Sequence, residues 1–160
     1  MKVLVFHIGA ERYGLHLADV ARVLPAATLK EVPLAPPCVA GLLDLHGHPV
    51  PVIDVARLAG HVRDAIRVDT RIVLVNYVAP DGMSHPLGLL LDQVSGIVAV
   101  GDDALVDAGV ANPPFLGKLA PLADGLLQLV ALGQLLTPEV RALLLRPAQQ
   151  GAGIDSRSAP

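Results

Sequence analysis

Cysteine and aromatic residues are scarce in this sequence. Cys38 is the single cysteine, so the chain cannot form an intrachain disulfide or hold zinc with a cysteine cluster, and a reducing compartment is expected. Two Tyr, two Phe and no Trp among 160 residues leave Leu, Val, Ile and Ala to build the core. This composition favours many small strands or helices over a few aromatic anchors.

Charge of either sign is also sparse. The chain has 12 Lys and Arg against 15 Asp and Glu, for a net charge of -3. A nucleic-acid partner requires a concentrated positive face. The densest basic stretch, residues 57 to 71, is interrupted by Asp64 and Asp69, which favours a solvated surface. We therefore expect no nucleic-acid partner.

Long uninterrupted apolar runs are missing as well. The best candidate for a membrane span, residues 119 to 138, contains Asp124 and Pro121, whereas a span needs roughly 20 mostly apolar residues. The amino terminus reaches Glu11 too soon for the apolar core of a signal peptide. The sequence predicts no direct membrane insertion.

Short apolar segments separated by turn residues recur along the chain, which is typical of β-hairpins. The pattern predicts three hairpins, at residues 3–17, 41–55 and 71–91. In the second hairpin the turn is expected at Gly47 and His48. The prediction is therefore a mostly β fold.

Two segments change their period directly after a hairpin. In residues 17–24, apolar side chains recur at helical spacing, which predicts a short amphipathic helix that ends at Pro25. Val94, Ile97 and Val98 show the same change of period after the third hairpin.

An internal repeat accompanies these hairpins. Residues 14–24 align without gaps to residues 88–98, and residues 41–55 match the segment that begins at residue 117. The offsets, 74 and 76, are nearly equal, which suggests a duplicated half; chance similarity between apolar hairpins is the alternative. Each half would carry about five short strands, enough to close a small barrel.

The carboxyl-terminal part begins with a predicted helix over residues 133–146. Thr137 is placed to cap it and Pro138 to occupy its first position. We expect residues 1–146 to form one domain with two pseudo-repeated barrel halves. Residues 147–160 have almost nothing to bury and are expected to form a flexible tail.

Histidines and carboxylates offer the main candidate chemistry. Asp44, His46 and His48 are ligand types that zinc, iron or nickel accept, but the predicted turn separates them. His16 and Asp19 resemble a general base with its orienting carboxylate, yet no suitable nucleophile accompanies them. We expect no catalytic residue, cofactor or metal. A small metalloenzyme that uses His46 and His48 is the alternative.

Four motifs in order carry a family resemblance: LVFHIGAERYGLHLADVARV, VPLAPPCVAGLLDLHGHPVPVIDVARLAG, RIVLVNYVAPDGMSHPLGLLLDQVSGI and PPFLGKLAPLADGLLQLVALGQLL. Over about residues 3–137 the chain resembles the CheW-like family of chemosensory coupling proteins. The resemblance implies two small five-stranded β-barrels joined around a shared apolar seam, with short helices. It also implies a function without catalysis.

The implied role is that of a cytoplasmic adaptor. Such an adaptor links the cytoplasmic tips of chemoreceptors to the regulatory domain of a CheA-type histidine kinase, and it reaches membrane receptor arrays only through these partners. Repetition of the contact would build rings or arrays. The alternative within the same fold is a regulator that caps or competes for kinase sites.

The resemblance places six candidate protein-binding residues: Val20, Arg22, Val23, Asp44, His46 and Gly47. The family's NLRG turn reads Asp44, Leu45, His46 and Gly47 here, and Arg22 replaces a common acidic residue. An acid–base pair between these places cannot form, and Arg22 and His46 would repel each other when His46 is protonated.

These departures lead us to expect a dedicated receptor and kinase of an alternative chemosensory pathway, rather than the main flagellar one. Two alternatives remain for the candidate residues. The hairpin could be an ordinary barrel hairpin with a polar tip, and Val20 and Val23 could pack in the core.

Overall fold

Strands make up most of the regular structure in residues 1–62, 65–111 and 113–145, which are the residues that the computed structural model describes. The strands are β1 (Lys2–Ile8), β2 (Glu11–His16), β3 (Val20–Pro25), β4 (Val39–Leu45), β5 (His48–Asp54), β6 (Arg71–Val78), β7 (Ser84–Ala99), β8 (Leu116–Leu122) and β9 (Gly125–Val130). The helices are α1 (Val55–Leu58) and α2 (Pro138–Leu144), with 3-10 turns at Leu17–Asp19, Asp102–Ala104 and Leu132–Gln134. The predicted mostly β fold is confirmed.

Strand β7 joins two five-stranded subdomains. Residues 84–91 pair with β5 and β6, and residues 92–99 pair with β1. Subdomain A consists of β8, β9, β2, β1 and the second half of β7, and subdomain B consists of β4, β5, the first half of β7, β6 and β3. The two predicted β subdomains are confirmed, although the strands form one continuous path rather than a single closed barrel.

The hydrogen-bond registers of the two subdomains are equivalent. Leu24 pairs with Ile72 in subdomain B, and Val98, which is 74 positions after Leu24, pairs with Val3 in subdomain A. Isolated bridges also match, since Lys30 pairs with Leu42 beside β4 and Val106 pairs with Leu119 in β8. In each half, the strand that follows the first hairpin crosses to the other subdomain.

Three apolar clusters fill this arrangement. The interior of subdomain A contains Val3, Val5, Val100, Ala120, Leu127 and Leu129. The interior of subdomain B contains Leu43, Val50, Val52, Ile72, Leu74 and Leu90. A larger cluster, the seam, lies between them and includes Leu4, Phe6 and Ile8 of β1 with Val73, Val75 and Tyr77 of β6. Successive strand residues point to opposite faces, so β1 and β6 are buried on both sides.

The helix predicted for residues 17–24 is wrong. A 3-10 turn at Leu17–Asp19 is followed by strand β3, which pairs with β6. A bulge at Ala21 lets Val20 face Val75 and Val23 face Val73, so both valines lie on one side of the strand. The bulge therefore produces a three-residue spacing that imitates a helix.

The second change of period has the same kind of cause. Strand β7 runs without interruption to Ala99, and its register against β1 shifts between the Val5–Gly96 and His7–Asp92 pairs. Gln93 adopts a φ of 50° at this irregularity. No helix forms there, because β1 supplies hydrogen-bond partners for an extended chain.

The carboxyl-terminal helix has the predicted cap but is shorter than residues 133–146, since α2 spans Pro138–Leu144. The Thr137 hydroxyl accepts a hydrogen bond from the Val140 amide at 3.2 Å, and Pro138 is the first helical residue. Val140 packs into the seam. Residues 146–160 lie outside the described residues, so the tail and its boundary stay predictions. No helix in the described part of the chain is long and apolar enough to span a membrane.

Two glycines at repeat-equivalent positions permit close packing inside the subdomains. A Cβ on Gly14 would lie 2.8 Å from Leu127 Cδ2 and closer still to Val3, and one on Gly88 would lie 2.9 Å from Val52 Cγ2. Gly14→Ala and Gly88→Ala should each lower the free energy of unfolding by about 1–3 kcal/mol in urea denaturation.

Gly133 supplies the matched control, because an added Cβ there meets nothing within 4 Å. Gly133→Ala should change the free energy of unfolding by less than about 0.5 kcal/mol. Equal stability of all three variants and the parent would contradict the packing described here.

Tyr77 presents a buried hydroxyl in the seam. Its side chain is 0% exposed, and its hydroxyl has no hydrogen-bond partner among the described residues. Tyr77→Phe removes the unsatisfied group, so we expect it to raise the free energy of unfolding by about 1 kcal/mol. Tyr13→Phe, at a half-buried ring, is the control and should shift it by less than about 0.5 kcal/mol. A loss of stability in Tyr77→Phe would show that the hydroxyl is hydrogen-bonded.

Candidate protein-binding site

The β4–β5 hairpin ends in a two-residue turn with a defined conformation. His46 and Gly47 have φ values of 53° and 87°, and Leu45 pairs with His48 on either side of them. Two consecutive positive φ values are typical of a type I′ turn, which suits the twist of a hairpin. The predicted turn at Gly47 and His48 is therefore wrong by one residue, since His48 already begins β5.

Asp44 fixes the shape of this turn. Its Oδ1 accepts a hydrogen bond from the Gly47 amide at 2.8 Å. Histidine is among the few residue types that are enriched at positive φ, so His46 occupies this position at modest cost. The structure thus brings Asp44, His46 and Gly47 together at one exposed tip.

The root of the hairpin is buried. Val50, Val52, Ile53 and Val55 are at most 1% exposed and anchor the tip. A rigid root and an exposed tip make the hairpin a fixed projection from subdomain B. A partner can contact it without first ordering it.

A shallow groove of about 370 Å³ runs beside the tip. Its lining combines the apolar Leu42 and Leu43 with the charged Lys30 and Asp44. Lys30 was missed by the sequence reasoning, because it lies in a proline-rich connection. Its amide and carbonyl both pair with Leu42, which brings it next to β4. The internal repeat relates Lys30 to Val106 at the offset of 76. Val106 pairs with Leu119 of β8 as Lys30 pairs with Leu42 of β4.

The alternative of a metal site finds no support here. Asp44 lies in β4, His46 in the turn and His48 in β5, so the three side chains belong to different parts of the hairpin. Within residues 1–62, 65–111 and 113–145, no group of three or more His, Cys, Asp or Glu side chains could hold a metal ion.

The other candidate residues lie on β3, an end strand of subdomain B. Val20 is half-buried and packs against the seam, which agrees with the alternative of core packing. Val23 is 45% exposed, and Arg22 is exposed as well. Only part of this group is therefore accessible to a partner.

Ile97 on the second half of β7 is the repeat counterpart of Val23. It is 54% exposed, and it too lies on a strand that ends its subdomain. Sequence reasoning did not select it, although the offset of 74 between the repeats leads from Val23 to Ile97. Each subdomain thus exposes one β-branched side chain on an equivalent end strand.

The candidate residues on β3 lie apart from those at the β4–β5 tip. Arg22 lies on β3 and His46 follows β4, the strands at opposite ends of the subdomain B sheet. No hydrogen bond or ion pair connects Arg22 to His46 in the described part of the chain. Their mutual repulsion stays a prediction.

The equivalent hairpin of subdomain A is held differently. Leu122 pairs with Gly125, so Ala123 and Asp124 form its turn. Arg12 Nη2 donates to Asp124 Oδ1 at 2.8 Å and Nη1 donates to Oδ2 at 3.2 Å, which ties this tip to β2. These hydrogen bonds hold the pKa of Asp124 below its ordinary value. The β4–β5 tip, by contrast, is held by the hydrogen bond from the Gly47 amide to Asp44 within its own turn.

These features describe a small β-rich domain with two subdomains on one seam and one projecting hairpin. The model of the CheW-like domain family matches residues 2–139, and the chain belongs to that family.

Two relatives agree with this assignment. The chemotaxis protein CheW of Treponema pallidum (strain Nichols) is 24% identical over 113 residues, which cover 71% of this chain and 63% of the relative. The match therefore spans less than two thirds of that relative's length. The crystal structure of the scaffolding protein TtCheW from Thermoanaerobacter tengcongensis has a TM-score of 0.79 at 24% identity, and covers 91% of this chain and 93% of that one. The fold is shared, as the resemblance implied.

The ion pair of the subdomain A tip predicts a pH effect. Because the folded-state pKa of Asp124 is lowered, its stabilising contribution is present above the ordinary carboxyl pKa of about 3.9 and is lost as the pH falls through the lowered value. In Arg12→Gln the pKa of Asp124 should rise toward its ordinary value, as measured by NMR titration of the carboxyl carbon.

Arg57→Gln is the matched control, since Arg57 is an exposed arginine on α1. It should leave the Asp124 titration unchanged. An unchanged midpoint in Arg12→Gln would mean that Arg12 does not lower this pKa.

Proposed function

We propose that this chain is a non-catalytic adaptor that couples chemoreceptors to a CheA-type histidine kinase in chemosensory signal transduction. The observation that carries the proposal is the rigid, exposed β4–β5 tip in a chain of the CheW-like family. The proposed partners are the regulatory domain of the kinase and the cytoplasmic tip of a receptor. A cytoplasmic location at receptor arrays follows from these partners.

The geometry of the tip supports recognition by contact. The type I′ turn and the Asp44 hydrogen bond hold His46 in place before a partner arrives, so little conformational entropy is lost on binding. The side groove offers an apolar floor between Lys30 and Asp44. Apolar contact with charged edges is the usual composition of a protein interface.

The residues at the tip also support a dedicated partner. Position 46 carries an imidazole, whereas the family's NLRG turn carries a guanidinium, which is always charged. A partner surface built for arginine would therefore lose a permanent ionic contact. We propose a kinase and receptor of an alternative chemosensory pathway, with surfaces suited to His46 and Arg22.

His46→Ala should weaken binding of the partner kinase by about tenfold, measured by isothermal titration calorimetry. The melting temperature should fall only slightly, because the His46 side chain is exposed and alanine loses only histidine's modest preference for a φ of 53°. His61→Ala, at an exposed histidine outside the hairpin, is the matched control and should bind the kinase normally. A large fall in melting temperature with unchanged binding would indicate an ordinary barrel hairpin.

A second comparison tests partner choice. The wild-type chain should bind the kinase regulatory domain encoded by a neighbouring gene more tightly than it binds a generic CheA-type domain. His46→Arg should reduce this difference in affinity. Equal affinity of the wild-type chain for both domains would rule out a dedicated partner. Binding of the kinase without any receptor binding would favour a capping regulator over an adaptor.

A further inference from the structure

An apolar groove of about 440 Å³ lies between the end of β6 and subdomain A. Buried leucine and valine side chains form its floor, and exposed residues of β6 and β8 form part of its rim. We call this cavity the β6 groove, and its lining includes Asp19, Val78, Lys118, Leu129, Val130 and Leu132. The residues of the β4–β5 tip do not line it, so the groove is a separate surface.

Strand β6 extends beyond its neighbour β3 at this groove. The last pair between the two strands joins Val20 to Val75, whereas β6 continues to Val78. Val78 is 54% exposed, and no backbone hydrogen bond of the described turns and loops reaches it. The end of β6 therefore forms an exposed strand edge at the rim of the groove.

The register of β6 directs the main chain of Val78 toward this edge. The Ala79 amide donates to the Met83 carbonyl oxygen at 2.9 Å. The preceding pair of the hairpin, Val78 with Ser84, is therefore a non-hydrogen-bonded pair. The N–H and C=O of Val78 consequently point away from β7, to the side on which β3 pairs with Leu74.

The internal repeat shows what can cover such a strand end. Strand β1 is the repeat counterpart of β6, since each is the first strand of a hairpin whose second strand contains Gly14 or Gly88. In these registers Gly9 corresponds to Val78. A Cβ added to Gly9 would lie 3.0 Å from His61 Cε1. The molecule therefore covers this strand end with its own polypeptide, the segment that follows α1.

The corresponding segment of the second half takes another course. The repeat offset of 76 relates His61 to Thr137, which caps α2 instead. Helix α2 then packs into the seam through Val140, and neither Thr137 nor Val140 lines the β6 groove. The place that the chain covers at Gly9 is thus left exposed at Val78.

We infer that the β6 groove is a docking site for an extended apolar segment of a partner protein. Such a segment would pair its main chain with the N–H and C=O of Val78 and lay an apolar side chain on Leu129 and Leu132. Charge does not select the occupant, because Asp19 and Lys118 line the groove with opposite charges. Main-chain pairing and apolar burial therefore supply the affinity.

Peptide selection on the full chain tests the inference. A phage-displayed library of random nonapeptides is selected on the wild type, and the enriched peptides are titrated by calorimetry. They should carry apolar residues at alternate positions and bind saturably. Gly133→Phe should weaken their binding by about tenfold. Gly133 lines the groove and an added Cβ there meets nothing within 4 Å, so the new ring fills the groove without disturbing the core.

A pair of substitutions at Val78 tests the main-chain contact. Val78→Pro removes the N–H that the segment would use, and it leaves the pairing with β7 intact because this N–H points away from β7. It should weaken peptide binding by about tenfold, whereas Val78→Thr, which keeps the N–H, should weaken it by less than about threefold.

Ala10→Phe is the matched control for Gly133→Phe, because Ala10 is exposed and lies outside the groove. It should bind the selected peptides as the wild type does. A selection that enriches no peptide, or affinity that survives both Gly133→Phe and Val78→Pro, would overturn the inference.

Two other occupants give distinct results. Dimerisation that rises with concentration and is abolished by Gly133→Phe would assign the groove to a second copy of the chain. Tighter peptide binding after deletion of residues 147–160 would assign it to the carboxyl-terminal segment. Either result would overturn the inference. Kinase binding through the β4–β5 tip is tested by His46→Ala, so the two proposals stand or fall separately.

Discussion

The apolar seam between the subdomains is the constraint on which the rest of the structure depends. Strands β1 and β6 are buried on both faces, since alternate side chains enter a subdomain interior on one side and the seam on the other. Neither subdomain could expose its seam face to water without a large loss of apolar burial. The exchange of β3 and the second half of β7 between subdomains reinforces the same contact. The two subdomains therefore form one platform.

The two subdomains have equivalent hydrogen-bond registers but differ in the residues at their hairpin tips. The subdomain A tip is tied to β2 by Arg12, whereas the subdomain B tip presents His46 in a turn that the Asp44 carboxylate stabilises. The end strands of the two subdomains differ less than the hairpin tips do, since Val23 and Ile97 are exposed at repeat-equivalent positions. Because the packing of the two subdomains is equivalent and only their exposed residues differ, substitutions at one hairpin tip can alter recognition while the core keeps its stability. Function on such a fold resides in the surface residues.

Much of the fold was predictable from local sequence because its signals are local. Alternating apolar residues and turn residues predict the hairpins, and Thr137 with Pro138 predicts the start of the last helix. The strand at Val20–Pro25 was predicted as a helix, because a bulge gives a strand the apolar spacing of a helix. Nothing in the local sequence shows that β6 lies beside this segment and pairs with it. Long-range pairing decided the outcome.

The candidate site was predictable to a smaller degree. The sequence grouped Asp44, His46 and Gly47 correctly at one tip, since a hairpin turn keeps near neighbours together. Lys30 was missed because its position beside β4 depends on a bridge formed by an irregular connection. Likewise, the exposure of Val23 and the partial burial of Val20 depend on the register of β3 against β6.

Hydrogen exchange of the full chain, alone and bound to the regulatory domain of the proposed CheA-type kinase, tests the central claim most directly. The account predicts that binding slows exchange at the amides of residues 44–48, while β1 and β6 exchange slowly and equally in both states. Slowed exchange elsewhere with an unchanged hairpin tip, or rapid exchange of β1 and β6 in the free chain, would contradict it.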